Sequence, residues 1–416
     1  MGNKECINEI LETSEKLGFI EKFFGITPTK KDLERFKKFR AALKWKLQAP
    51  SVSYGKIGRI LKVDPKVVSR WINLRELPFL AKLLKAYISL GEPRKNYKWL
   101  CMHIGFGQTL DGPWIQVPIS IRKFSDIVNV VNQLKPLPGS IKKIKKFFST
   151  SNVRRLKLEI FAYILGFCVG DFGKKKSGKC IRINSRVFSL KLTKRVKKNL
   201  LLGNFIKECV RALGLEMKRY KDQIDKATKA GRFYWESQHS LLVEWIFKVC
   251  LGLKNNETTT FNPVRMEWLF KTPKYFIKRF IQGLGDSDGQ VNMQADCCNI
   301  ASYPNTMFLK RLLEKLGVRV RIDNTVDGKI VAMTSREAIK IPLFFENEKI
   351  SYRYADLKAY VKAKCIKPGG RVPEHVKSLI RRYSRKGCRK VDVIKMLAHK
   401  HGIIVGYETL SRYFSS

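Results

Sequence analysis

The chain is short of acid. Its 416 residues hold 35 Asp and Glu against 83 Lys and Arg, a formal net charge of +48. Solubility needs only a modest net charge, so an imbalance of this size points to a polyanionic partner. Long apolar runs are also missing. The longest near the middle, Ile160 to Gly170, is about half of the roughly 20 residues that cross a bilayer. The start, Met1-Gly2-Asn3-Lys4-Glu5-Cys6, lacks the apolar core of a signal peptide, and Cys6 stands where a myristoylation motif needs Ser or Thr. A membrane partner is therefore not expected. The chain is expected inside the cell, in the cytoplasm or nucleoid, or in an organelle or nucleus of a eukaryote. Ten cysteines contain no C-x-x-C pair, and several sit in apolar runs, which favours small buried hydrophobes over zinc or disulfide frameworks. Disorder is excluded by 44% hydrophobic residues. The length suits two to four folding units.

The units follow from shifts in pattern: residues 1–92, 93–151, 152–270, 271–362 and 366–416. In the first, Asp32 to Gln48 places Phe36, Phe39, Ala42, Leu43 and Trp45 on roughly one face of a helix. Ser53 to Ile72 then reads as a short helix, a tight break and a second helix, with Asp64 as cap and Pro65 at the first position. Ile57, Ile60, Leu61, Val63, Val68, Trp71 and Ile72 are predicted to fill the angle, leaving Lys66, Ser69 and Arg70 outward. This pattern resembles the helix-turn-helix family, whose second helix enters the major groove. In 93–151, Trp114 to Ile121 alternates like a strand and Lys123 to Leu134 reads as a helix. Pro136 to Lys146 reads as a linker running into a basic helix that touches phosphates. At the other end, Pro373 to Ser384, Val391 to His401 and Gly406 to Phe414 are predicted helices. There Ser411-Arg412-Tyr413 echoes Ser69-Arg70-Trp71, with Thr409, Ser411 and Arg412 as candidate DNA contacts. His399 and His401 read as surface basic residues, since nothing nearby completes a metal shell.

The middle of the chain repeats itself. Tyr163-Ile164-Leu165-Gly166-Phe167-Cys168-Val169-Gly170-Asp171-Phe172-Gly173 can be laid over Phe280-Ile281-Gln282-Gly283-Leu284-Gly285-Asp286-Ser287-Asp288-Gly289. Each is an apolar helix with small residues four apart (Gly166 and Gly170; Gly283 and Ser287), which lets two helices pack with their backbones close. An acid at the end of each would then meet its counterpart at one edge. Alternating segments follow. Ile181 and Ile183 oppose Arg182, Asn184 and Arg186, while Val291, Met293 and Ala295 oppose Gln290, Asn292, Gln294 and Asp296. A helix ending at Gly214 or Gly317 and a second hairpin complete each half, so that Gly231-Arg232 matches Gly328-Lys329.

These motifs resemble the LAGLIDADG family of homing endonucleases in its single-chain, two-motif form, over roughly residues 155–355. The resemblance implies an α+β fold: a duplicated αββαββα core of two antiparallel saddle-shaped sheets about a pseudo-twofold axis, here flanked by all-α helix-turn-helix domains. It implies a monomer that cuts both strands of double-stranded DNA with Mg²⁺ or Mn²⁺. Asp171 and Asp288 match the metal-binding acids, and Asp286 matches an earlier motif Asp that is structural or a cap. Phe172 stands where the first motif has glycine. Lys329 and Arg232 resemble the basic residues that flank the family's active site. Carboxylates from two juxtaposed helices suit a metal ion that activates water for phosphodiester hydrolysis. Arg182 and Arg186 suit guanine, and Gln290, Asn292 and Gln294 suit adenine. The alternatives are a non-cleaving DNA-binding regulator of the WhiA type and an intron RNA maturase, whose partner is intron RNA. The ends lack the residues of protein splicing, so a free-standing protein is expected.

Overall fold

The computed structural model describes residues 3–24, 28–89, 99–103, 114–170, 172–174, 180–186, 194–221, 232–238, 240–254, 257–293, 295–326, 328–366 and 371–414. The chain divides into two compact units, Met1–Ser120 and Ile121–Ser416.

The first unit contains α1 (Asn3–Thr13), α2 (Leu17–Phe24), α3 (Lys30–Gln48), α4 (Tyr54–Leu61), α5 (Pro65–Ile72) and α6 (Phe79–Ser89), followed by an antiparallel pair, β1 (Trp99–His103) and β2 (Trp114–Pro118). A reciprocal Thr29–Asp32 capping box starts α3, which buries Phe36, Phe39, Ala42 and Leu43 as its periodicity predicts. Between α4 and α5, Lys62 takes a left-handed φ of 51° and the Asp64 carboxylate accepts from the Lys66 amide at 2.7 Å, with Pro65 opening α5. Ile57, Val68, Trp71 and Ile72 are buried, and Trp71 meets Phe39 edge to face at 5.8 Å. Ile60 departs from expectation and is 54% exposed. The break folds back against Gly58, where a Cβ would lie 2.6 Å from the Val63 carbonyl. The inner face is thus centred on Ile57, Gly58 and Leu61, and Ile60 falls roughly 110° from it.

The second unit begins with α7 (Phe124–Gln133), α8 (Ser140–Lys145) and α9 (Val153–Val169). It continues through β3 (Phe172–Lys174), β4 (Ile181–Arg186), α10 (Lys194–Ala212), β5 (Met217–Lys221), β6 (Arg232–Ser237) and α11 (Leu241–Trp245). Then come α12 (Lys274–Asp288), β7 (Gly289–Asn292), β8 (Cys297–Ile300), α13 (Thr306–Lys315), β9 (Arg321–Thr325), β10 (Gly328–Thr334), α14 (Ser335–Lys340) and α15 (Tyr352–Lys362). The architecture is mixed, with small antiparallel sheets beside helices, as an α+β fold requires. The strands form two four-stranded sheets of like order, β3-β4-β6-β5 and β7-β8-β10-β9. Both α10 and α13 end at a glycine with left-handed φ, 88° at Gly214 and 84° at Gly317.

Residues 136–146 pack inside this unit instead of linking two. The Leu137 amide donates to the Arg211 carbonyl at 3.0 Å, Ser140 and Ile144 are buried, and Lys143 reaches Glu208 of α10 at 3.5 Å. Lys157 of α9 is also buried, and its ammonium donates to the Asn132 and Leu134 carbonyls at the end of α7. β7 is shorter than the alternation suggests. It stops at Asn292, and Asp296 turns the chain with φ 44°.

The tail holds β11 (Lys364–Ile366), α16 (Glu374–Arg385), α17 (Lys390–His401), β12 (Ile403–Val405) and α18 (Tyr407–Phe414). It is not all-α, because β11 and β12 pair in parallel. Gly402, with φ 62°, stops α17, and the β-branched Ile403-Ile404-Val405 that follows favours an extended chain. His399 is not a free surface residue. Its Nε2 lies 2.8 Å from Asp356 of α15, which Lys395 also meets. Burial pushes the Asp356 carboxyl up, but the His399 hydrogen bond and the Lys395 charge outweigh it and hold it below its usual range. No helix among the described residues is long and apolar enough to cross a membrane.

Candidate functional site

The site begins where α9 and α12 cross. A Cβ on Gly166 would lie 1.9 Å from the Phe280 carbonyl oxygen and 3.0 Å from the Leu284 nitrogen. A Cβ on Gly283 would lie 2.0 Å from the Tyr163 carbonyl oxygen and 2.9 Å from the Phe167 nitrogen. Gly166 and Gly283 are 117 positions apart in sequence, and so are Tyr163 and Phe280, and Phe167 and Leu284. The two contacts are therefore one contact seen from either side. Only glycine permits it, since any Cβ would enter the opposite main chain.

One turn later the helix ends meet. A Cβ on Gly170 would fall 2.0 Å from Ser287 Oγ and 2.9 Å from Asp288 Cγ, so the half-buried Asp288 carboxyl lies against the end of α9. Asp171, the next residue after Gly170, lies outside the described residues. Among those described, no three His, Cys, Asp or Glu side chains converge. The Asp288 carboxylate is an oxygen donor of the kind Mg²⁺ and Mn²⁺ take.

Asp286 is buried and plays another part. Its carboxylate accepts from Tyr163 Oη at 2.9 Å, from the Phe345 amide at 3.2 Å and from Ser351 Oγ. Burial pushes its carboxyl up to about 6, against the hydrogen bonds from Ser351, Tyr163 and Phe345 and the charge of Arg353. It is a clamp joining α9, α12 and the chain before α15. Arg353 donates to the Asp286 carbonyl and, at 3.0 Å, to the Ser287 carbonyl, two of the carbonyls the end of α12 leaves without helical partners. Nothing in the local sequence marks Arg353, since its partners are 66 and 67 positions away. Glu159 and Arg279 form a buried pair near the starts of the two helices at 2.9 Å.

The ladders assign the remaining residues to faces. In the first sheet Arg182 is opposite Glu236, Asn184 opposite Tyr234, Arg186 opposite Arg232 and Tyr220 opposite Tyr234. The positions of Arg182, Asn184, Arg186, Arg232, Lys218, Tyr220 and Tyr234 thus share one face, while Ile181, Met217 and Trp235 bury the other. On the open face the Arg182 guanidinium sits 4.0 Å over the Tyr234 ring, which stacks on Tyr220 at 5.0 Å. In the second sheet Gln290 and Asn292 share a face with Asn299, Arg321, Asp323 and Thr325. Gln294 lies outside the described residues. Arg321 is spent locally, its Nε donating to Asp323 at 2.9 Å.

Register also separates two residues paired above. Phe172 and Gly289 take the same place, opposite Ile183 and Ile300. Following the ladders outward, Trp235 corresponds to Val331, Arg232 to Gly328 and Phe233 to Lys329. A one-residue slip changes face, so Lys329, exposed at the start of β10, does not share the parity of Arg232. Phe172 is a second asymmetry. At Gly289 a Cβ would lie 2.4 Å from the Gly285 carbonyl, yet the first half carries a full side chain at that place.

In the flanking helices Lys66 and Arg70 are exposed, with Arg70 paired to Glu76 at 3.1 Å, and Asn73 donates to the Ser69 carbonyl. On α18, Arg412 is exposed and Ser411 Oγ donates to the Tyr407 carbonyl. Thr409 is only 8% exposed beside buried Leu410, and so faces inward instead of outward.

No protein-family model matches the chain, and no curated protein matches it. Among solved structures it is similar to I-DmoI in complex with DNA and Mn, at 20% identity and a TM-score of 0.30 over 47% of this chain and 97% of that one. It is similar to mesophilic variants of the homing endonuclease I-DmoI, at 21% identity and a TM-score of 0.30 over 46% and 98%. It is also similar to full-length DUF199/WhiA from Thermatoga maritima, at 10% identity and a TM-score of 0.32 over 67% and 95%. None of these defines a family for the chain.

Proposed function

We propose that the second unit is a metal-dependent endonuclease for double-stranded DNA of the LAGLIDADG type, a duplicated core acting as a monomer. The observation that carries this reading is the reciprocal crossing of α9 and α12, with Gly170 against Asp288 at its end. Duplex DNA has strands of opposite polarity, and a crossing that looks the same from either side offers each strand an equivalent acid.

In this reading Asp288 and Asp171 hold Mg²⁺ or Mn²⁺, which when bound supplies an activated water and offsets charge on the scissile phosphate. Arg353 keeps the last turn of α12 in place and so orients Asp288. Arg182 and the strand positions of Asn184 and Arg186 are proposed to meet the bases from the first sheet, and Gln290 and Asn292 from the second, where paired donors and acceptors suit adenine. Arg232 and Lys329 are proposed to offset charge from different faces. Lys66, Ser69, Arg70, Ser411 and Arg412 extend the contact beyond the core.

The test is incubation with a randomised duplex library in Mg²⁺, beside Ca²⁺ and Asp288→Asn controls, with bound and cut molecules sequenced. Recurrent staggered cuts should vanish in Asp288→Asn and Asp171→Asn, while duplex binding, which basic contacts dominate, stays within about threefold. Enrichment without cuts under every divalent metal would sink the nuclease. The second reading, a non-cleaving regulator of the WhiA type, is favoured by one observation: Phe172 occupies in the first half the place held by a tightly enclosed glycine in the second.

A further inference from the structure

The cations of the tail are unevenly satisfied. Lys377 pairs with Glu374 at 2.9 Å, Arg389 with Asp392 at 2.8 Å, and Lys395 with the buried Asp356. One stripe of α16 is different. Ser378, Arg381, Arg382, Arg385 and Lys386 line a cleft of about 440 Å³. Their spacing, i, i+3, i+4, i+7 and i+8, puts all five on one side of the helix, opposite the buried Val376 and Ile380. Among the described residues Arg382, Arg385 and Lys386 have no carboxylate partner, and Arg381 reaches Glu374 only at 3.8 Å.

A helix gains from cations in its last turn, which accounts for Arg382 and Arg385 one at a time. It does not account for their clustering. Arg381 with Arg385, and Arg382 with Lys386, are like charges four residues apart, an arrangement that opposes helix formation. Such a stripe becomes favourable when an anion lies across it. α18, read from sequence as the contacting helix, is a poorer candidate: its charges are Glu408 and Arg412, and Thr409 faces inward.

We infer that the outward stripe of α16 is a phosphate-binding surface for duplex DNA, which it grips outside the stretch covered by the core. This deepens the proposed function and rests on its choice of duplex DNA as partner. From Ser378 to Lys386 the helix advances about 12 Å, enough to follow on the order of three phosphates of one strand. Arg offers a forked donor pair and Ser378 a hydroxyl, both suited to phosphate oxygens. The surface reads no sequence. It adds affinity and fixes where the tail lies.

The experiment uses the full chain and a duplex of mixed sequence, with binding followed by fluorescence anisotropy across a KCl series. In Arg382→Ala/Arg385→Ala/Lys386→Ala, the slope of log affinity against log salt should shrink by about two to three units, at roughly 0.9 per phosphate released. Arg382→Lys/Arg385→Lys should keep most of the slope, which a folding defect would not predict. An unchanged slope in the triple alanine variant, with wild type binding normally, would overturn the surface. So would a loss seen only with a hairpin RNA and not with duplex. Because the readout is binding, a wild type that never cuts would remove the nuclease reading and leave this one standing.

Discussion

The two sheets of the second unit share a strand order and present opposite chemistry. The open face of the first carries Arg182 and Lys218 with Glu236 and the stacked pair Tyr220 and Tyr234, and the strand positions of Arg186 and Arg232 fall on the same side. The Gln290 face of the second carries Asn292, Asn299 and Thr325 beside buried Cys297, Ile330 and Ala332, and Arg321 on it is neutralised by Asp323. Backbone order is set by the buried faces, where Ile181, Met217 and Trp235 in one sheet answer to Val291, Cys298 and Val331 in the other. The exposed polar positions on the other faces, such as Lys218 and Gln290, are free of that constraint. On the proposed function they divide the labour: the first sheet supplies grip, which salt weakens, and the second supplies selectivity, which salt leaves nearly alone.

The harshest way to break the comparison is to attack what the halves have in common. Gly166→Ala and Gly283→Ala each push a methyl into the other helix's main chain. Each is expected to destabilise the unit by about 3 kcal/mol or more in urea unfolding, by similar amounts. Gly55→Ala, on α4 where a Cβ would meet only Ser53 Oγ at 4.0 Å, should be neutral or stabilising by up to about 1 kcal/mol. Unequal losses at Gly166 and Gly283 would show that the crossing is not reciprocal.

A second test uses a position where the halves differ. Buried Val169 corresponds to Asp286 by the 117-residue offset of the motif helices. Folding raises the Asp286 carboxyl to about 6, so the folded state binds its proton more tightly than the unfolded chain. This group therefore lowers stability as pH climbs from about 4 through 6, and the penalty is complete above that range. Relative to Asp286→Asn, the wild type should gain about 1 kcal/mol between pH 7 and pH 5. A wild-type curve parallel to that of the variant would count against it.

The smallest effects sharpen the division of labour. Lys218→Ala should remove about one unit of salt slope and leave base preference alone, while Gln290→Ala should relax preference at one position by about 1–2 kcal/mol and leave the slope alone. Exchanged outcomes would reverse the roles of the sheets.

Much of this was legible in the sequence where period and chemistry agree. The glycine spacing of the two motif helices, the alternation around Arg182 and Gln290, and the Asp64-Pro65 start of α5 are local signals, and each structure follows from its own few residues. What could not be read depends on partners far along the chain. Arg353 bonds to carbonyls of α12, His399 to Asp356, and the α8 segment to α10. Ladder register is likewise set by whole sheets, which is why matching Gly231 to Gly328 placed Arg232 and Lys329 together when they differ by one position. Thr409 is buried and Ile60 exposed, against their local pattern, because on two-turn helices a single residue's angle decides which side it takes.

The main-chain contact between α9 and α12 has a consequence for the product of the proposed reaction. Because glycines set the approach, no rotamer or neighbouring side chain adjusts the spacing of the two helix ends. The crossing works as a ruler. On that reading the overhang left on cut DNA is a constant of the fold, unchanged when the sheets evolve new targets, and drift in recognition leaves the shape of the broken ends as it was.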